Sequence, residues 1–223
     1  MKAFTVKIKS IQHITHDVLQ IVTEKPPEYN FTPGQATEVS INKSDWKNKK
    51  RPFTFTSLPD SDYIEFTIKT YPLHKGVTNE LLKLKINEEL ILHEVFGAIA
   101  YKGDGIFIGG GAGVTPFICI LRYLQSKKKI GNNKLIFANK TKGDIINEEE
   151  FKKILGENFI NILSDEKVEG YAHGQITESF LKTHISESTK NVYICGPPPM
   201  MDAIEKQLLD LKIDKKNIIK EVF

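Results

Sequence analysis

One glycine-rich run, Gly109 to Pro116, limits the folds that this chain can adopt more than any other segment does. It follows an apolar segment, Gly105 to Ile108, and precedes a helical-looking segment, Phe117 to Gln125. A strand, a glycine turn and a helix in that order direct backbone N–H groups from the positive end of the helix, where a pyrophosphate can bind. The run therefore predicts a dinucleotide site. Position 114 lacks the glycine of the usual dinucleotide fingerprint, so an ordinary tight turn stays open as the alternative.

The pattern before residue 100 is one of short strands. Turn-forming pairs such as Pro26-Pro27 and Pro33-Gly34 interrupt them. Six runs have this character: Thr5 to Ser10, Val18 to Thr23, Ala36 to Ile41, Phe53 to Ser57, Tyr63 to Tyr71 and Glu89 to His93. Their spacing predicts a small antiparallel β-barrel.

After residue 100, strand and helix patterns alternate, which predicts right-handed βαβ units in a parallel sheet covered by helices. Strands are expected at residues 106–108, 135–138, 159–163 and 191–195, and helices from Pro116, Glu148, Thr177 and Pro199. We therefore predict two domains. An N-terminal antiparallel β-barrel is expected over residues 1–100, and a C-terminal α/β doubly wound parallel sheet over residues 101–223.

Composition and charge exclude several classes of protein. The formal net charge of +3 is too small for a nucleic-acid-binding protein, which needs a concentrated basic face. The apolar runs are far shorter than the roughly 20 residues that cross a bilayer, and the N-terminus lacks the apolar core of a signal peptide. We therefore expect a cytoplasmic protein without a membrane span. The two cysteines, Cys119 and Cys195, are far apart, which predicts no disulfide framework, no metal site and no iron–sulfur cluster.

Two segments of the first domain carry groups that suit a flavin dinucleotide. Arg51-Pro52-Phe53-Thr54 combines a guanidinium for a pyrophosphate, a ring for stacking and a hydroxyl for a hydrogen bond to flavin N5. Its alternative is an ordinary strand with a surface arginine. Lys75 to Leu81 begins a helix with Gly76 and Thr78 at its N-terminal end, which suits a second anion. Its alternative is a simple helix cap.

A third segment, Cys195 to Met201, follows an apolar strand in the second domain. Its three consecutive prolines remove backbone donors and fix the chain, and Pro199 suits the first residue of a helix. Ligands bind at the carboxyl ends of parallel strands, which is where Cys195 is expected. A buried cysteine with a purely structural role is the alternative.

In this order the motifs resemble the ferredoxin-NADP reductase-like flavoprotein superfamily, in the branch of cytochrome b5 reductases and flavodoxin or oxygenase reductases. The motifs are Pro33-Gly34-Gln35, Arg51 to Thr54, Gly76 to Thr78, Gly109 to Pro116, Asn139 to Ile145, Cys195 to Met200 and the ending Glu221-Val222-Phe223. The resemblance implies an FAD-binding barrel followed by an NAD(P)-binding domain. One departure is Phe53, where the family usually has tyrosine, so stacking is kept and a hydroxyl is lost.

The resemblance also implies roles for individual positions. Thr54 is expected beside flavin N5 and Cys195 beside the nicotinamide C4, and these two are the implied catalytic residues. The residues implied to hold FAD are Arg51, Pro52, Phe53, Thr54, Lys69, Tyr71, Gly76, Val77, Thr78 and Thr115. Those implied to hold NADH or NADPH are Gly110, Gly111, Gly113, Thr115, Pro116, Asn139, Lys140, Asp144, Cys195, Gly196, Pro197 and Met200.

The expected function is hydride transfer from the nicotinamide to FAD, followed by electron transfer to a separate redox protein: a ferredoxin, a flavodoxin, a haem protein or an oxygenase. Lys140 and Lys142 suit the 2′-phosphate of NADPH, whereas Asp144 would repel it and favours NADH. The basic segment Lys47 to Arg51 is either a docking site for an acidic partner or a solvated loop. A non-catalytic FAD-binding subunit of a larger complex and a dehydrogenase or methyltransferase without flavin are alternative functions. The oligomeric state is left open.

Overall fold

The computed structural model describes residues 3–186 and 189–221, and the chain divides after Gly97 into two units, Met1–Gly97 and Ala98–Phe223. Antiparallel strands build the first unit and a parallel sheet with helices builds the second. The two predicted fold types are confirmed, since each unit has the sheet that its sequence pattern indicates.

The first unit is a barrel of six antiparallel strands. Its strands are β1 (Phe4–His13), β2 (Val18–Glu24), β3 (Ala36–Ile41), β4 (Arg51–Thr54), β5 (Tyr63–Lys69) and β6 (Glu89–Phe96), and its helix is α1 (Val77–Leu81). They pair in the order β4-β3-β6-β1-β2-β5. An antiparallel bridge between Phe55 and Phe66 joins the end of β4 to β5, which closes the barrel.

Aromatic and branched side chains fill the barrel. The ring of Phe55 stacks on Phe31 with centroids 4.1 Å apart and lies 5.5 Å from the ring of Phe66. The Tyr29 hydroxyl donates to Thr37 Oγ1 at 2.7 Å and lies 2.8 Å from the His93 carbonyl, so this buried phenol keeps polar partners.

The strand predicted at Phe53 to Ser57 is shifted, because β4 covers Arg51–Thr54. After Thr54 the chain changes partner: the Phe55 N–H donates to Gln35 O, whereas the Thr56 N–H donates to Glu65 O. A run that leaves one neighbour for another at a barrel corner keeps its β-type composition, so the sequence pattern does not reveal where the ladder ends.

The second unit is a parallel sheet between helices. Its elements are β7 (Gly105–Gly110), α2 (Thr115–Ser126), β8 (Lys134–Asn139), α3 (Glu148–Leu155), β9 (Phe159–Leu163), β10 (Ala172–His173), α4 (Glu178–His184), β11 (Asn191–Cys195), α5 (Pro198–Asp210) and β12 (Ile218–Lys220). The strand order is β10-β9-β8-β7-β11-β12. Successive strands move outward from β7 on one side and then return to its other side, so the order reverses between β7 and β11. In such sheets ligands bind in the crevice at that point.

Helices cover both faces of this sheet. On one face, Ile108, Ile136 and Ile194 pack with Leu181 of α4 and Ile204 of α5. On the other face, Phe107 contacts Phe117 of α2 at 5.1 Å between ring centroids, and Phe137 contacts Phe151 of α3 at 6.3 Å. Both faces are therefore buried, which explains the continuous apolar runs of β7, β8 and β11.

The segment after Gly97 is attached to the second unit. The Tyr193 hydroxyl accepts a hydrogen bond from the Lys102 N–H at 2.9 Å and donates to the Gly103 carbonyl at 2.8 Å. Asn133 Oδ1 accepts from the Gly105 N–H at 2.9 Å. These side chains hold the segment at the amino ends of the strands. Within the described ranges, no helix combines the length and the apolarity needed to cross a membrane.

Candidate functional site

The glycine run lies at the carboxyl edge of the parallel sheet, directly after β7. A 3₁₀ turn covers Gly111–Val114, and α2 begins at Thr115. Gly111 has a φ of +51°, and a Cβ built there would meet nothing within 4 Å. Val114 precedes the helix and has no side-chain acceptor for its first N–H groups. The Thr115 N–H donates to the Ala112 carbonyl and Pro116 has no N–H, so backbone donors for an anion have to come from the turn Gly111–Val114, which borders open space at Gly111.

Two other glycines of the run have a packing role that the sequence does not reveal. A Cβ on Gly113 would lie 2.3 Å from the Cys195 carbonyl oxygen, and one on Gly110 would lie 2.5 Å from the sulfur of Met200. Real Cβ atoms do not approach this closely. Gly110 and Gly113 therefore let the glycine run pack directly on the segment that follows β11. Their predicted contact with a dinucleotide stays a prediction.

The start of α5 differs from the start of α2. The helix begins at Pro198, one residue before the predicted Pro199, and its first two residues lack N–H groups. The next two N–H groups, of Met200 and Met201, both donate to the Pro197 carbonyl. Donors for an anion are therefore expected from the glycine turn Gly111–Val114, which contains no proline, and not from the start of α5.

Cys195 ends β11 as a buried thiol. Burial is the main cause that raises its pKa to about 12, and the negative charge of Glu221 adds to it. The thiol is therefore protonated at neutral pH, and the nucleophilic thiolate is absent. Burial also raises the pKa of the Glu221 carboxyl.

Glu221 is a neighbour of Cys195 to which the sequence analysis gave no role. β12 pairs with β11 in parallel, with Ile194 opposite Lys220, so Cys195 and Glu221, which come next along the two segments, are adjacent. A strand of three residues has too little periodicity to be recognised, and no local pattern marks the residue after it as a site residue. Val222 and Phe223, the rest of the terminal motif, lie outside the described residues.

Asn139 is the clearest unoccupied polar group at the carboxyl edge. It ends β8, its side chain is 9% exposed, and neither amide atom has a hydrogen-bond partner within the described residues. Buried amides are nearly always paired, so a missing partner indicates a ligand or an ordered water. This observation favours the predicted role of Asn139 in nucleotide binding.

Asp144 stabilises the loop that follows β8. Its Oδ2 accepts a hydrogen bond from the Thr141 N–H at 2.8 Å, and its own N–H donates to the Thr141 side chain, so the two residues form a capping box. Oδ2 also accepts from the Thr141 hydroxyl at 2.7 Å. A second carboxylate, Asp165, follows β9, and its N–H donates to the Lys140 carbonyl at 2.9 Å. Asp165 was missed by the sequence analysis. The signal was available, because Asp165 lies two residues after a predicted parallel strand.

In the first unit, β4 presents its groups largely unoccupied. Arg51 and Pro52 are exposed, and the Arg51 guanidinium donates to the Lys50 carbonyl at 2.7 Å. Phe53 is half-buried with its ring centroid 6.4 Å from that of Phe66. Within the described ranges, the half-buried hydroxyl of Thr54 makes no hydrogen bond. The strand thus offers a cation, a partly open ring and an available hydroxyl.

The other predicted flavin contacts are more mixed. Lys69 Nζ lies 2.5 Å from Asp17 Oδ2, so its charge already has a partner. Tyr71 is exposed and stacks on His74 with ring centroids 5.6 Å apart. The side chain of Val77 is in the core, which leaves only its backbone for a ligand. Gly76 precedes α1, and a Cβ there would meet nothing within 4 Å.

The basic segment before β4 is partly neutralised. Lys50 Nζ lies 3.3 Å from Glu38 Oε2, and Lys49 Nζ lies 4.2 Å from the centroid of the Trp46 ring. Lys47 is exposed and has no ionic partner among the described residues. One cation of the segment, Lys50, is therefore paired with a carboxylate, whereas Lys49 keeps its full charge over an uncharged ring.

Comparison with protein families gives two matches that follow the two sheets. A family model described as an FAD-binding domain matches residues 3–145. A family model described as an oxidoreductase NAD-binding domain matches residues 107–206. The first match begins in the barrel and extends past the glycine run.

Relatives with described roles are similar along most of this chain. The reductase component of propane 2-monooxygenase from Mycolicibacterium smegmatis is 29% identical over 217 residues, which are 88% of this chain and 61% of the relative. NADH-cytochrome b5 reductase 2 from Mycosarcoma maydis is 28% identical over 222 residues, 88% of this chain and 62% of the relative. This chain therefore spans about three fifths of the length of these relatives.

A solved structure shares the fold. A ferredoxin NADP+ reductase from Neisseria gonorrhoeae, with bound FAD and NADP, superposes with a TM-score of 0.86 at 18% identity, over 99% of this chain and 98% of the other.

Proposed function

The chain belongs to the ferredoxin-NADP reductase-like flavoprotein superfamily, and from this premise we propose that it is an FAD-dependent NAD(P)H oxidoreductase. It takes a hydride from the nicotinamide and passes electrons to a separate redox protein. The observation that carries the proposal is β4, where an exposed guanidinium, a partly open ring and an unbonded hydroxyl follow one another within the part matched as an FAD-binding domain. The proposed division of labour is FAD in residues 1–100 and nicotinamide in residues 101–223.

The available groups fit both cofactors. For FAD, Arg51 would hold the pyrophosphate, Phe53 would stack on the ring system, and the open position at Gly76 admits a second phosphate contact. For NAD(P)H, backbone N–H groups of the glycine turn Gly111–Val114 would hold the pyrophosphate, and Asn139 would satisfy its buried amide on the nucleotide. Thr115 is proposed to contact both FAD and NAD(P)H.

The reacting residues act by position. When bound, FAD supplies the ability to accept a hydride and release electrons singly. Thr54 would donate its hydroxyl to flavin N5, and Cys195 would pack beside C4 of the nicotinamide. The Cys195 thiol keeps its proton because its pKa is raised to about 12, so it takes part as a neutral packing group. Hydride transfer needs no general acid or base from the chain, whose contribution would be to bind and orient each cofactor.

NADH is the proposed preferred donor. Lys140 is exposed and available to a 2′-phosphate, but carboxylates of Asp144 and Asp165 lie on the loops that follow β8 and β9. Negative charges at this edge disfavour a third phosphate and accept hydrogen bonds from ribose hydroxyls. We also propose a cytoplasmic location, as predicted from the sequence, where NADH is available as the hydride donor. The electron acceptor is proposed as a ferredoxin, flavodoxin, haem protein or oxygenase.

The absorbance spectrum of the purified chain tests the proposal. We expect a yellow protein with flavin bands that bleach when NADH is added without oxygen, faster than with NADPH. A colourless chain that also fails to take up added FAD would overturn the proposal and favour a dehydrogenase or methyltransferase without flavin. A yellow chain that reduces no artificial acceptor with NADH or NADPH would support the alternative of a non-catalytic subunit.

A further inference from the structure

A buried polar cluster lies on the barrel face opposite the aromatic core. Side chains alternate along β5, so Glu65 and Thr67 point away from Phe66 and the barrel interior. Glu65 is 6% exposed and Thr56, which follows β4, is fully buried. A buried carboxylate is costly unless hydrogen bonds replace its water, so its surroundings indicate what it stabilises.

Hydrogen bonds hold both oxygens of this carboxylate. The Thr56 hydroxyl donates to Glu65 Oε1 at 2.8 Å, and the Gln20 amide donates to Oε2 at 3.0 Å. The hydroxyl oxygens of Thr56 and Thr67 are 3.2 Å apart, and the Thr56 N–H donates to the Glu65 carbonyl at 2.8 Å. The side chain and the backbone of Thr56 are thus both fixed to Glu65.

Thr56 is close to the hydroxyl proposed to meet the flavin. In an extended chain, residues two apart share a face and are separated by about 7 Å, so Thr54 and Thr56 point to the same side. Thr54 has no hydrogen bond of its own within the described residues, so its direction depends on the backbone that carries it. That backbone pairs with Ala36 at Thr54, donates from the Phe55 N–H to the Gln35 carbonyl, and is anchored to β5 at residues 55 and 56.

We propose that Glu65 is a positioning residue of the flavin site, which acts through Thr56 to fix the direction of the Thr54 hydroxyl. The proposal rests on the proposed function, because it assigns Thr54 to flavin N5. It goes beyond that function by adding a buried residue that touches neither cofactor nor acceptor.

The environment of flavin N5 provides a readout that a merely structural role would not move. The chain is reconstituted with ¹⁵N-labelled FAD, and the N5 resonance is recorded by NMR for Glu65→Gln, Thr54→Val and the double variant. We expect the two single variants to shift N5 in the same direction and the double variant to match Thr54→Val, because both act on one hydrogen bond. In stopped-flow experiments, Glu65→Gln should slow the limiting rate of flavin reduction about tenfold, the effect of one lost hydrogen bond, with an unchanged KM for NADH.

Two further variants keep the test decisive. Glu24→Gln removes a carboxylate elsewhere on the barrel, where Oε2 accepts from the Lys7 N–H at 3.1 Å, and should match the wild type. If Glu65→Gln does not fold, Thr56→Val removes the same hydrogen bond and should give the same N5 shift. An N5 resonance that moves with Thr54→Val but not with Glu65→Gln or Thr56→Val overturns the inference and leaves the proposed function intact. A chain that binds no FAD would instead contradict the proposed function.

Discussion

Cys195 shows how burial can determine the chemistry of a single side chain. Its thiol lies at the edge of the sheet where a nicotinamide is proposed, yet burial and the Glu221 carboxylate raise its pKa to about 12. A neutral thiol of small volume can lie against a ring without reacting with it. Cys195 therefore contributes through the size and polarity of its side chain and not as a nucleophile.

Replacement of Cys195 by alanine tests that role. We expect Cys195→Ala to bind FAD normally and to be reduced by NADH about tenfold more slowly, because the nicotinamide loses a packing contact. Stopped-flow reduction at saturating NADH is the measurement. Cys119→Ala, a change at a buried position inside α2, is the matched control and should reduce at the wild-type rate. Equal rates for Cys195→Ala and wild type would refute the role.

Glu221 predicts a pH dependence of stability. Burial raises the pKa of its carboxyl above the usual value, so the folded state holds the proton more tightly than the unfolded state. Its contribution is fully present below the unfolded pKa, near 4.5, and is lost as the pH rises through the folded value. We therefore expect Glu221→Gln to raise the urea midpoint at pH 8 and to leave it unchanged near pH 4. A variant that is less stable than wild type at pH 8 would contradict this expectation.

Among the secondary-structure elements, those with long or strongly periodic patterns were predictable. β3, β9 and β11 have the predicted bounds, because a complete ladder buries the whole apolar run. β10 and β12 were not predicted, because strands of two and three residues gain their definition only from the neighbour they pair with. The adjacency of Cys195 and Glu221 depends on such a pairing. The glycine run was predictable as a turn from the sequence. The close approach of Gly113 to Cys195 was not, because it joins residues that are far apart in the sequence.

The junction between the glycine run and the end of β11 predicts a sharp response to one methyl group. Gly113→Ala should destabilise the chain by about 1–3 kcal/mol, because its Cβ would lie 2.3 Å from the Cys195 carbonyl oxygen. NADH-dependent flavin reduction should fall with it, since Cys195 would move. Gly143→Ala is the control: its Cβ would have ordinary clearance, 3.8 Å from Thr141 Oγ1. Denaturant unfolding monitored by circular dichroism compares the two, and equal midpoints would show that the junction tolerates the methyl group.

For the molecule as a whole, the distribution of charge matters more than its sum. The formal net charge is +3, and of the four cations in the basic segment Lys47 to Arg51 only Lys50 has a carboxylate partner among the described residues. Long-range attraction of an acidic redox protein would therefore depend on a few cations, chiefly the exposed Lys47 beside Lys49.

Charge reversal at these two positions tests whether they guide the acceptor. With an acidic plant-type ferredoxin as the probe, Lys47→Glu with Lys49→Glu should lower the second-order rate constant about tenfold at low salt and remove most of its salt dependence. The same two charge changes at Lys182 and Lys206, on α4 and α5, are the control. Reduction of a neutral quinone should be unaffected in both variants. A rate with ferredoxin that is flat with salt in the wild type would favour the solvated loop.

The hydrogen bonds of Tyr193 have a practical consequence for anyone who divides this chain. A fragment that starts at residue 105, where the parallel sheet begins, would remove Lys102 and Gly103 and leave a buried phenol without its acceptor and its donor. Unpaired buried polar groups destabilise a fold, so such a fragment should express poorly or aggregate. A cut directly after Gly97 keeps both partners of Tyr193. Residues 98–104 should therefore be included in any fragment that contains the parallel sheet.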